Sequence, residues 1–119
     1  MTKEQASYFN LLAAGELEKR VQTARQHLLD CDVCPWECGV NRLDGEVGVC
    51  QTGKLAQVCS YGPHHGEERP ISGRLGSGTI FFARCNLRCV YCQNANISQA
   101  SAGQPLDARA LAAIMLDLQ

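Results

Sequence analysis

Three cysteines spaced C-x3-C-x2-C, namely Cys85, Cys89 and Cys92, lie within GTIFFARCNLRCVYCQN at positions 78–94. No other feature constrains the chain as strongly. Thiols this close either share one face of a helix or wrap around a common object. Positions i, i+4 and i+7 do share a helix face, and cysteine packs well as a small apolar residue. On a regular helix, however, the outer two would stand about 10 Å apart along the axis, at about 1.5 Å per residue. That is too far for sulfurs on one small cluster. The preceding Thr79-Ile80-Phe81-Phe82 is β-branched and aromatic and reads as a buried strand over Thr79–Ala83. Arg84-Cys85-Asn86 is poor helix-starting sequence. The cysteines are therefore expected on a wrapped loop at the end of that strand. Three thiolates without a fourth can hold three irons of a [4Fe-4S] cluster and leave one iron open to a small molecule.

A second set precedes it. Cys31, Cys34 and Cys38 form C-x2-C-x3-C, and Cys50 follows after eleven residues. Gly39, Gly45 and Gly48 lie among them, and Asp44-Gly45 is a turn signal. Such turns let the backbone close around a metal. Four thiolates suit a tetrahedral Zn2+ or a second iron-sulfur cluster, and the spacing leaves both open. A helical stripe over 31, 34 and 38 is disfavoured by Pro35, which fits only the first turn of a helix. Cys59, in a strand expected over Leu55–Tyr61, reads as a packed apolar residue.

Eight cysteines without a signal-peptide pattern point to metal ligands in a reducing cytoplasm rather than to disulfides. A net charge of -1 offers no nucleic-acid surface, and no apolar run nears the length of a membrane span. Residues 1–30 are expected to be helical, with Thr2 and Gln5 as a loose capping box and a break at Gly15. Leu17, Val21, Ala24 and Leu28 would make an apolar face, with His27 near the helix end. Residues 62–78 read as a glycine- and proline-rich loop, in which His64, His65, Glu67 and Glu68 take surface roles. A last helix is expected with Asp107 as N-cap and Leu111, Ile114, Met115 and Leu118 as its apolar face.

The C-x3-C-x-aromatic-C pattern, with Tyr91 as the aromatic, resembles the signature of the radical S-adenosylmethionine (SAM) superfamily. The flanking Gly-Thr-Ile-Phe-Phe and Gln93-Asn94 resemble the branch of glycyl-radical activating enzymes, such as the pyruvate formate-lyase activating enzyme. Cys-Pro-Trp-Glu-Cys-Gly-Val-Asn-Arg and His-Gly-Glu-Glu narrow this to an activating-enzyme-like subgroup. The resemblance implies a [4Fe-4S] cluster on Cys85, Cys89 and Cys92, with Tyr91 beside the adenine of SAM. The implied reaction is reductive cleavage of SAM to methionine and a 5'-deoxyadenosyl radical, which takes a hydrogen atom from a glycine of a partner. The implied partners are a glycyl-radical enzyme and an electron donor such as flavodoxin or ferredoxin.

The expected architecture is α/β in three parts. A helical segment (1–30) and a cysteine-rich metal-binding module (31–62) precede the start of a partial (β/α) radical SAM barrel (63–119). A complete β/α barrel takes about 200 residues or more, so the chain is expected to be truncated and to turn over SAM poorly by itself. Two other function classes remain: an iron-sulfur electron-transfer protein, which would need a fourth cysteine near Cys85, Cys89 and Cys92, and a zinc-binding interaction module without catalysis.

Overall fold

Gly15 takes the left-handed conformation, with φ 68°, and so separates α1 (Tyr8–Ala13) from α2 (Glu16–Gln26) as its position predicts. The fold is that of a computed structural model, which describes residues 6–100 and 103–119. The expected Thr2 and Gln5 capping box lies outside the described residues. α2 carries Glu16 within reach of both Lys19 and Arg20. Its predicted apolar stripe is only partly covered: Leu17 and Leu28 are half-buried, while Val21 and Ala24 are exposed. His27 caps the helix end and pairs with Asp32 through Nδ1, 2.7 Å from Oδ1.

A short 3-10 turn, Arg42–Asp44, follows in the cysteine-rich module. Asn41 caps it, accepting from the Leu43 and Asp44 amides. The sheet comes next, with β1 (Ala56–His64), the one-turn α3 (Arg69–Ser72), β2 (Ser77–Phe82), β3 (Gln104–Leu106) and then α4 (Ala108–Asp117). The strand order is β2-β1-β3, and both pairings are antiparallel. A bulge between Val58 and Ser60 falls at Cys59.

Several boundaries differ from the sequence expectation. β1 runs to His64, and β2 begins at Ser77, so the anticipated 62–78 loop contains the ends of both strands and α3. Pro70 does not interrupt α3, because proline is tolerated in a helix's first turn. The parallel pairing of a β/α barrel does not occur among the described strands. The β1–β2 connection carries only the one turn of α3, too little helix to cover a sheet face as a β/α crossover does. The far edge of β2 pairs with no described strand.

α4 is capped as predicted, the Asp107 carboxylate accepting from the Ala110 amide at 2.8 Å. Ala110, Leu111, Ile114 and Leu118 are half-buried, whereas Met115, expected on that face, is exposed. Gly78 lets the helix end approach the sheet, since a Cβ there would meet the Leu118 Cβ at 3.0 Å. The buried apolar residues are few among those described: Cys31, Val58 and Ala83. The radius of gyration is 16.8 Å, against about 13.5 Å for a compact domain of this length. Apolar burial alone therefore holds this arrangement weakly. Among the described residues, no helix is long and apolar enough to cross a membrane.

Candidate metal centre

The three-cysteine segment leaves β2 as irregular turns, not as a helix. The Ala83 amide still donates to the Gln57 carbonyl at 2.7 Å, and Arg84 then turns the backbone with φ 63°. The Cys85 amide donates to the Ser98 carbonyl at 2.7 Å. The Leu87 amide points at the Cys85 sulfur, 3.4 Å away. Arg88 makes a second left-handed turn, with φ 51°. The Cys92 amide donates to the Cys89 carbonyl at 3.2 Å, and Gln99 Nε2 donates to the same carbonyl at 3.0 Å. Cys92 Sγ lies 3.3 Å from Ser98 Oγ. A π-helical turn, Asn96–Ala100, thus backs the whole loop; such turns recur at functional sites. The apolar tip of the loop points away, with Leu87, Val90 and Tyr91 largely exposed.

In the N-terminal module the backbone doubles back on itself. The Cys31 amide donates to Val40 O and the Gly39 amide to Cys31 O, both at 3.1 Å. Arg42 donates to Gly53 O from Nε and Nη2, at 3.1 and 2.8 Å, and its Nη1 lies 3.9 Å from the Cys31 sulfur. Asn41 is locked between Asp44 and Glu46. Gly48 is the tight spot: a Cβ there would meet the Cys38 sulfur at 2.6 Å. Cys31, Cys34, Cys38 and Cys50 all line one cavity of about 450 Å³.

The same cavity is walled on its far side by Phe82, Arg84, Cys85, Asn86 and Ser98. Cys85 of the three-cysteine loop thus lies on the cavity of the N-terminal set, whereas Cys89 and Cys92 do not line it. Trp36 Nε1 donates to the Asn86 carbonyl at 2.8 Å, and Arg84 Nη1 donates to the Gln51 carbonyl at 2.7 Å. Trp36→Phe keeps most of the ring and removes the donor. It is expected to lower stability by about 0.5–1 kcal/mol, read as a lower midpoint in chemical unfolding of the full chain.

Cys31, Cys34, Cys38, Cys50, Cys85, Cys89 and Cys92 form no disulfides. Cys85, Cys89 and Cys92 come to one loop and are half-buried. Among the described residues no three His, Cys, Asp or Glu side chains are gathered tightly enough to ligate one ion. The donor set nevertheless fits a cluster: three thiols lie within eight residues of irregular backbone, and one already accepts an amide N–H. Closing such a loop on a cluster breaks no helix or strand. The module's four thiols around one cavity fit Zn2+ or a second cluster equally. Cys59 stands apart, on cavities walled by α4 or by Asn96, Ile97 and Gly103. Cys50 shares both of the other cavities with Cys85, and Cys31, Cys34 and Cys38 share the larger one. Tyr91 is 83% exposed and meets no ring among the described residues. His64 faces Glu67 at 3.5 Å. Trp36, Gln51 and Ser98 were not legible as site residues, because the contacts that bring Trp36 and Gln51 to the loop span 50 and 33 positions.

No family model and no solved structure matches the chain. Among curated proteins, an uncharacterized protein of Methanocaldococcus jannaschii is 40% identical over 83 residues, which is 70% of this chain and 23% of that protein. The chain therefore spans less than a quarter of that relative's length.

Proposed function

We propose that the chain carries the cluster-binding part of a radical SAM iron-sulfur protein of the glycyl-radical activating type. The observation that carries this reading is the loop Cys85–Cys92: three free, half-buried thiols on turns at the end of β2, with the Leu87 amide on the Cys85 sulfur. Held by Cys85, Cys89 and Cys92, a [4Fe-4S] cluster would supply the one-electron reduction that cleaves SAM. The chain's own residues hold and tune. Cys85, Cys89 and Cys92 ligate. The Leu87 amide stabilises negative charge on the Cys85 sulfur, and Ser98 and Gln99 brace the loop from behind. Tyr91, exposed at the tip, is free to pack on an adenine ring. A β/α barrel built outward from the open edge of β2, a glycyl-radical partner and a flavodoxin- or ferredoxin-type donor belong to the same reading. So does a cytoplasmic setting, since eight thiols suit a reducing compartment.

One observation favours a second reading, that of an electron-transfer protein. Cys50 and Cys85 wall the same cavities, so two metal sites would stand side by side. The test is anaerobic reconstitution with iron and sulfide, reduction, and addition of SAM. Formation of 5'-deoxyadenosine and methionine, dependent on Cys89, is the expected result. Two redox-active clusters with no SAM cleavage and no SAM binding would favour electron transfer, and zinc as the sole metal would favour an interaction module.

A further inference from the structure

A smaller cavity of about 230 Å³ lies on the other side of Cys50 and Cys85. Its walls include Arg84 and Arg88, Gln51, and Ser98 of the π-helical turn. No carboxylate lines it among the described residues. Arg84 spends one nitrogen on the Gln51 carbonyl; its Nε is shut off from solvent with no partner among the described residues. Arg88 makes no hydrogen bond or ion pair among the described residues. Two permanent positive charges thus face one concave site without a counter-charge. The backbone is held unusually as well. The described non-glycine residues with positive φ are Glu37, Gln51, Arg84 and Arg88, and three of these four line this cavity. That conformation disfavours residues with a side chain, and it persists where the surroundings enforce it, often at ligand sites.

We propose that Arg84 and Arg88 form a receptor for the carboxylate of a small ligand. A guanidinium fork matches the planar carboxylate and bonds it in two places. A monoanion suits the site better than a phosphate dianion, because the sulfurs of Cys50 and Cys85 share its wall and carry negative charge once metal-bound. The carboxylate sits beside Cys85, so under the function proposed above it lies next to the cluster. It belongs either to SAM itself or to a separate acid bound alongside. The receptor depends on the arginines and not on iron.

The test has two arms on the full chain. In the first, sodium acetate is titrated at constant ionic strength against a sodium chloride control and followed by ligand-observed NMR. Saturable acetate binding is expected, weakened about tenfold or more by Arg88→Gln and by Arg84→Lys, as loss of a charged hydrogen-bond pair implies. Arg88 is exposed and unbonded, so its replacement tests the site even if Arg84→Lys disturbs the turn. Acetate binding no different from chloride, or unchanged in both variants, overturns the proposal. With the chain iron-loaded, inorganic phosphate displacing acetate at lower concentration overturns the carboxylate assignment. In the second arm, SAM and decarboxylated SAM are titrated by calorimetry into the iron-loaded chain. A preference of about tenfold for SAM that Arg88→Gln abolishes identifies the cofactor as the source. Equal affinities with acetate binding retained identify a separate acid. Failure to load iron would sink the cluster reading and leave the acetate arm standing.

Discussion

Replacing Cys85, Cys89 and Cys92 together by Ala is expected to remove about four irons and four sulfides per reconstituted chain. The loss should be complete at that loop and not graded. A cluster with an open iron already works with the fewest thiolates that hold it, so no spare ligand stands by. Cys59, the one cysteine in neither set, lies on other cavities. Single Ala replacements should have nearly the same effect. Cys85→Ala also strips the Leu87 amide of its sulfur acceptor. Alanine is the informative choice, because a serine oxygen could still ligate. The measurement is iron and sulfide per chain after anaerobic reconstitution, together with the visible absorption of the cluster. Unchanged iron at this loop in the triple variant would disprove the assignment.

The same triple variant is expected to keep its other metal, bound by Cys31, Cys34, Cys38 and Cys50, and chelation of that metal should unfold residues 31–53. Within this module Cys31 is the one buried residue. The rest is held by turns and by the Arg42 contacts to Gly53. A structural zinc site contributes about 10–16 kcal/mol to folding in small peptides, as much as the whole net stability of an ordinary domain, about 5–15 kcal/mol. Metal loss should therefore outweigh every other single change in this region. Hydrogen exchange reads it directly: the Cys31, Gly39 and Arg42 amides, bonded to Val40, Cys31 and Leu28 carbonyls, should lose protection with a chelator. Their protection should be unaffected by the triple replacement. Elemental analysis showing neither zinc nor iron in the triple variant would leave the four cysteines as ordinary packing residues.

Features decided within a few residues were legible from the chain alone. Gly15 breaks a helix because it alone tolerates the required left-handed turn cheaply. Asp107 caps α4 because its short side chain reaches the amide three residues on. A β-branched, aromatic run makes β2, and the C-x3-C-x2-C segment after it is too irregular for a helix. Tertiary structure decided the rest. The antiparallel order β2-β1-β3 depends on which segments find each other across the chain, and strand propensity carries no direction. The exposure of Val21, Ala24 and Met115 depends on what stands opposite them, which helical periodicity does not record. Above all, Cys85 comes beside the N-terminal cysteine set, where Trp36 bonds to Asn86 and Arg84 to Gln51. Those bonds join residues dozens of positions apart, where local pattern is silent, and they put the start of the three-cysteine motif on a wall of the N-terminal motif's cavity.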